Sequence, residues 1–272
     1  MATSSPPGST GTAPLTVASR VTFTALPGIG RIGQGDDLAQ VIADALLRTE
    51  LTLEHHDVLC ITSKALSLTE GRRVCLEDVQ PTARAVALAR QTGKDPRLVE
   101  LVLRESTHIS RVQPGVLIVR HRLGFICTNA GIDQSNVGAE GQTKSSVLLL
   151  PADPDGSAQA LRATLKARFG VELGVIITDS HSRAFRAGTV GVAIGCAGIA
   201  PIYDQRGRAD LAGRPLEHTV TATADQLAAC ADLVAGQADE GRPMVLVRGV
   251  RFAPSSEAAV ALYRKPEQDL YA

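Results

Sequence analysis

At 272 residues, with 44% apolar and 21% charged side chains and a formal net charge of zero, the chain has the composition of an ordinary soluble globular protein. Balanced charge gives no bulk basic surface for nucleic acid, and 3% aromatics without a single Trp leave no platform for stacking single-stranded bases. No apolar run reaches the roughly 18 residues of a membrane span, and the five scattered cysteines contain no CxxC pair or Cys/His cluster, which argues against zinc and for a reducing, cytoplasmic setting.

Met1 to Pro14, rich in Ser, Thr, Gly and Pro, reads as a disordered tail, leaving 15–272 as the folded part. Val17 to Leu26 reads as a strand that Pro27-Gly-Ile-Gly30 interrupts. Asp36 and Asp37 then precede a helical pattern from Leu38 to Leu47. Asp57 to Thr62 is a short buried strand running into a polar turn at Ser63-Lys64. Pro81 to Gln91 and Pro96 to Glu105 read as two helices, and Val116–Arg120 with Gly124–Thr128 as a hairpin. Leu148 to Pro154 reads as a loop, and a helix is expected from Ser157 to just before Gly170. A strand over Val171 to Thr178 follows, then the glycine-dense apolar run Gly191 to Gly198, suited to close backbone packing or a ligand-facing strand. An Ala-rich helix over Thr223 to Ala235, a loop bracketed by Gly236 and Gly241, and a strand over Met244 to Arg248 complete the order. Helices and strands mix without regular βαβ alternation, so the expected class is α+β, with mixed sheets in a single compact unit or two interwoven lobes.

Two segments carry the chemistry: Cys127-Thr-Asn-Ala-Gly-Ile-Asp-Gln-Ser-Asn136 and Val175-Ile-Ile-Thr-Asp-Ser180. In each, an apolar run ends at an aspartate, Asp133 or Asp179, beside small polar residues. Two carboxylates at strand ends among hydroxyl and amide oxygens suit a hard divalent cation, whose main use is to handle phosphates. The bland alternative, that both are turn-formers or helix caps, stays open on the residues alone. Pro27-Gly-Ile-Gly-Arg-Ile-Gly-Gln-Gly35 contains a GxGxxG string but lacks the acidic residue about 20 positions on that a dinucleotide-binding reading needs, and no P-loop is present. Its backbone NH groups and Arg31 suit a phosphate cradle, and a flexible turn fits as well. In Asp179-Ser-His-Ser-Arg-Ala-Phe-Arg186, a metal-competent carboxylate and two guanidiniums are expected around one polyanion.

With these residues in view, the chain resembles the coenzyme F420-0:gamma-glutamyl ligase family from about Leu26 to Arg251. The matching segments are Gly35-Asp-Asp-Leu38, Ser63-Lys64 with Glu70-Gly-Arg72, Asn129-Ala-Gly-Ile-Asp-Gln-Ser-Asn136, Leu150-Pro-Ala-Asp-Pro154, Ile177-Thr-Asp179 and Val192-Ala-Ile-Gly195. Tyr203-Asp204, Gly207, Asp210, Gly213-Arg214, Thr219, Gly236-Gln237 and Val247-Arg-Gly249 continue the series in order.

The resemblance implies a GTP-dependent ligase that activates the terminal carboxylate of a deazaflavin precursor as an acyl phosphate, which L-glutamate then attacks through its amine. It implies Mg2+ or Mn2+ held by Asp133, Asp179, Ser180 and Gln237, with K+ as a further candidate ion. Asp133 and Asp179 would be the catalytic pair. The nucleotide would lie against Pro27, Gly28, Ile29 and Gly30, against Ser63, Lys64, position 68 and Asn136, and against the loop Ala235, Gly236, Gln237, Ala238, Asp239, Glu240, Gly241 and Arg242. It further implies a homodimer with no nucleic-acid or membrane partner. Three departures bear on substrate and nucleotide choice: Leu68 stands where relatives carry a nucleotide-contacting Lys, Ala184-Phe185 replaces Pro-Trp, and Gly191 replaces Asn or Asp. Two other readings remain: an acid–amino-acid ligase with another substrate, and a metal-nucleotide binding protein without turnover.

Overall fold

The computed structural model describes residues 16–135 and 145–268; the tail Met1 to Pro14 and Asn136 lie outside the described residues. The first strand, β1 (Thr16–Ala25), ends before Pro27, and α1 (Leu38–Arg48) starts where Asp37 caps it, its carboxylate accepting from Ala39 N and Gln40 N at 2.9 and 3.3 Å. β2 (Val58–Thr62) passes directly into α2 (Ser63–Thr69). The expected polar turn at Ser63-Lys64 is therefore a helix start, because the Thr62 hydroxyl accepts from Ala65 N and caps it. After β3 (Arg73–Cys75) come α3 (Ala83–Thr92), which starts later than the expected Pro81 because Thr82 caps it, and α4 (Pro96–Arg104), capped by Asp95.

An unanticipated strand, β4 (Ser106–Gln113), precedes the expected hairpin of β5 (Val116–His121) and β6 (Ile126–Thr128). Beyond it, β7 (Ser146–Leu148) pairs with β3 and ends at Leu148, the first residue of the expected loop. α5 (Pro154–Phe169) begins one turn earlier than Ser157: Asp153 caps it, accepting from Gly156 N at 3.0 Å, and Pro154 takes the first helical position, where its missing NH costs nothing.

β8 (Gly174–Arg183) and β9 (Arg186–Ala197) form a long hairpin, followed by the small pair β10 (Tyr203–Asp204) and β11 (Val220–Thr221). α6 (Thr223–Ala235) and β12 (Met244–Arg251) close the order. Asp179 is thus inside a strand rather than at its end. The small polar residues after it pair across the hairpin, Ser180 with Gly191 and His181 with Val190, and so prolong the strand.

Five strands form the central mixed sheet in the order β1-β12-β2-β8-β9, with β2 and β8 parallel and the other neighbours antiparallel. Its middle strands are buried on both faces and accordingly read as continuous apolar runs. Leu59, Ile61, Val175, Ile177 and Leu246 point into a core shared with α1, α4 and α5, while Val58, Cys60, Ile176, Val245 and Val247 point to α6. The alanines of α6 let it lie close on β9, and Gly191 permits this approach, since a Cβ there would stand 2.5 Å from Ala228 O and from Asp232 Cβ. The architecture is α+β. Cys60, Cys127 and Cys196 are buried, Cys75 is half-buried and Cys230 exposed, all as free thiols. No helix among the described residues is long and apolar enough to cross a membrane.

Candidate functional site

The parallel pair β2 and β8 organises a cavity of about 670 Å3 at its carboxyl end. Thr62 faces Thr178 in the register, so the next residues, Ser63 and Asp179, meet: Ser63 Oγ donates to Asp179 Oδ1 at 2.8 Å. Adjacent Lys64 places its Nζ 2.6 Å from Asp133 Oδ2. Consecutive side chains at the start of α2 therefore hold the two predicted carboxylates, and both aspartates line the one cavity.

Asp133 arrives by a strained route. Asn129, Ala130 and Gly131 adopt φ of 50°, 54° and 65°, a left-handed turn that costs about 1–2 kcal/mol at a non-glycine position. The turn is held by Leu117 N donating to Asn129 Oδ1 at 3.0 Å, and beyond it Asp133 exchanges both backbone hydrogen bonds with Leu148. Ser135 donates its NH and hydroxyl to Asp133 Oδ1, each at 2.7 Å. Burial alone would raise the Asp133 carboxyl, but Lys64 and the Ser135 donors hold it below the ordinary carboxylate range.

Asp179 has a second partner the sequence did not reveal. His181 Nε2 lies 2.8 Å from Asp179 Oδ2, and its ring sits 5.1 Å from that of Phe125, which in turn meets Tyr263. Neighbours two apart on a strand share one face, so the contact follows once β8 continues past Asp179.

Most of the expected nucleotide positions line the same cavity: Ile29, Gly30, Ser63, Lys64, Leu68 and the whole loop from Ala235 to Arg242, with Ser180. Pro27 and Gly28 do not; Gly28 O instead accepts from Arg48, which ties the loop back to α1. Asn136 lies outside the described residues. Arg183 and Arg186, expected around the anion with Asp179, are not among the lining residues. At about 3.3 Å per residue the prolonged strand carries Arg183 some 13 Å beyond Asp179. Arg206 and Arg214 pair with Asp204 and Asp210 in the β10–β11 arm.

The wall between α2 and β7 is set by the segments Glu70-Gly-Arg72 and Leu150-Pro-Ala-Asp-Pro154, which meet in space. Glu70 accepts from Ala152 N at 2.8 Å and from Ser157 Oγ at 2.9 Å, while Arg72 Nε donates to Leu150 O at 2.8 Å. Together they fix Leu148, Leu149 and Leu150 along the cavity.

Asp232, near the end of α6, lines the cavity too and was not anticipated. Its Oδ1 accepts from Ser180 Oγ at 2.9 Å and Gln237 Nε2 at 2.5 Å. One sign of it was present in the sequence, because a carboxylate in the last turn of a helix opposes the macrodipole and calls for another explanation. Among the described residues no three or more His, Cys, Asp and Glu side chains are grouped to hold an ion. The donors facing the cavity are carboxylate, hydroxyl and amide oxygens, a set that suits Mg2+ or Mn2+ completing its shell with phosphate oxygens and water.

Residues 28–249 match the family described as F420-0:Gamma-glutamyl ligase. The chain is 46% identical over 253 residues to the coenzyme F420:L-glutamate ligase of Methanothermobacter thermautotrophicus, covering 92% of this chain and 98% of that one. Against the protein of the same description from Methanopyrus kandleri the identity is 44% over 246 residues, covering 89% and 93%. That from Archaeoglobus fulgidus is 41% identical over 251 residues, covering 92% and 96%. By the length matched and the identity across it, the chain belongs to the F420-0:gamma-glutamyl ligase family.

Proposed function

We propose that the chain joins the amine of L-glutamate to the terminal carboxylate of a deazaflavin precursor, F420-0, using GTP and passing through an acyl phosphate. A carboxylate oxygen attacks the γ-phosphorus and GDP leaves. The amine then attacks the acyl carbon, inorganic phosphate departs and the nitrogen loses a proton. Without the first step an amide does not form in water, because oxide is too poor a leaving group. What supports this reading most is the meeting of Ser63 and Lys64 with Asp179 and Asp133 in one cavity.

Asp133, Asp179, Ser180 and Gln237 would hold Mg2+ or Mn2+, which neutralises charge on the phosphoryl group being transferred. Around it, the chain's own groups orient and shield. Ser63 fixes one oxygen of Asp179 and His181 the other, so the carboxylate cannot rotate. Lys64 balances Asp133 and offers an ammonium that an incoming anion can share. The loop from Gly236 to Arg242, where Ala238 N donates to Glu240 at 2.8 Å, would offer backbone NH groups to phosphate in place of that carboxylate; Gly236, at φ 82°, turns the chain off α6 to form it. The homodimer belongs to the same reading and is to be measured by sedimentation.

The test is to incubate the chain with F420-0, L-glutamate, GTP and Mn2+. Glutamate-dependent release of GDP and phosphate, with a product heavier by one glutamyl residue, is the expected result. Asp179→Asn should abolish it while leaving the circular dichroism spectrum unchanged. GTP binding without any phosphate release in the wild type would instead identify a binding protein.

A further inference from the structure

We infer that Asp232 is a positioning residue of the ion site, converting the uncharged side chains of Ser180 and Gln237 into oriented oxygen donors; this rests on the ion site proposed above. Hydroxyl and amide groups bind a hard cation only through oxygen. Free in solution, an amide presents its oxygen and its NH2 with equal ease. Here the Gln237 Nε2 is given to Asp232 Oδ1 at 2.5 Å, so Oε1 is the atom left for another partner. The opposite orientation would set two oxygens against each other. Ser180 commits its proton to the same carboxylate oxygen at 2.9 Å, which leaves its lone pairs available. One carboxylate therefore takes up the protons of both donors.

The local fold is arranged to make this contact. Ser180 pairs with Gly191 on β9, and the absent Cβ of Gly191 lets Asp232 approach the strand. Gly236 then turns the chain back at φ 82°, so that Gln237 returns to the residue five positions earlier. Asp225, two turns before Asp232 on α6, makes a different kind of contact, accepting from Ala193 N at 2.9 Å as a tie between helix and strand. Helix physics disfavours a carboxylate in the last turn, so the two cavity-facing donors are the reason for Asp232 to be there.

Mn2+ uptake with a non-hydrolysable GTP analogue, followed by the electron paramagnetic resonance of free Mn2+, tests this without any turnover. Asp232→Ala should weaken Mn2+ binding about 10–100-fold, the usual effect of removing a group that orients a ligand. Asp232→Asn, which keeps an acceptor but loses the charge, should fall between Asp232→Ala and wild type. Combining Asp232→Ala with Gln237→Ala should weaken binding by less than the sum of the separate effects. Wild-type Mn2+ affinity in a folded Asp232→Ala protein overturns the inference while leaving the ion site standing. If Asp232→Ala fails to fold, Asp232→Asn decides, and undiminished affinity in it is equally fatal. Absence of Mn2+ uptake by the wild type defeats the ion site itself, and this inference with it.

Discussion

Leu68 lines the cavity at a position where the family resemblance leads one to expect a Lys. Lys64 is engaged by Asp133 at 2.6 Å and by Ser135 O at 3.3 Å, so its ammonium reaches a nucleotide only as a shared contact. Leu68→Lys should therefore tighten GTP binding. One charge-assisted contact contributes roughly 1.5–3 kcal/mol, at most about a hundredfold in affinity. Calorimetric titration of GTP into both proteins with Mn2+ present checks this, and weaker binding by the variant would mean that Lys64 or Arg31 already occupies the place. Asp133 and Asp179 were legible in the sequence because each ends an apolar run abruptly. The contact of Asp232 with Ser180 closes only in three dimensions and leaves in the sequence no more than an oddly placed carboxylate in a last helical turn, while that of His181 with Asp179 depends on β8 continuing past Asp179. The motif Glu70-Gly-Arg72 was legible as a motif, but that it grips residues 150–152 was not.

Among the elements, those with a full apolar face or a clear cap matched their sequence pattern: α1, α3, α4, α6, β2 and the core of β12. Those missed were short or polar. β3 and β7 have three residues each, β10 and β11 two each, and β4 exposes most of its side chains. Pairing with a partner strand, rather than local preference, makes them strands, and for β4 that partner is the adjacent β5. The glycine-dense run before Gly198 left two readings open, and close packing is the one found. Gly191 belongs to that packing, since a Cβ there would meet the backbone carbonyl of Ala228 at 2.5 Å, and a backbone atom cannot swing aside. Gly191→Ala should push α6 outward and destabilise the protein by about 1–3 kcal/mol, the usual penalty of overpacking. Urea unfolding measures the loss. An unchanged midpoint would show that α6 is free to slide along β9, and the close contact would then have no energetic weight.

At the scale of the whole molecule, one buried carboxylate joins parts distant in sequence. Glu105, at the end of α4, meets Arg72 Nη2 at 2.9 Å and Arg122 Nε at 3.0 Å, and buried His121 stands 3.5 Å away. The two arginines continue to Leu150 O and Ala152 O, so the α4 end, the β5–β6 turn and the cavity wall share this anchor. Burial acts to raise the Glu105 carboxyl, but contacts to His121 and Arg122 and the charges of Arg72 and Arg122 prevail and hold it at about 2. A folded value below the unfolded one means stability that is fully present above the ordinary glutamate range and lost as pH falls through about 2. The drop from 4.5 to about 2 is worth at most about 3 kcal/mol, less what solvent screens at Arg122, whose side chain is 33% exposed. Glu105→Gln removes the charge but keeps the shape. Its stability deficit relative to wild type should be greatest near neutral pH and shrink steadily as pH falls from about 5 toward about 2, where the wild-type carboxyl becomes neutral as well. Guanidinium or urea unfolding curves for both proteins across that range supply the comparison. A deficit that stays constant down to the acid end would place the role of Glu105 in its shape and packing, and the charged anchor would have to be given up.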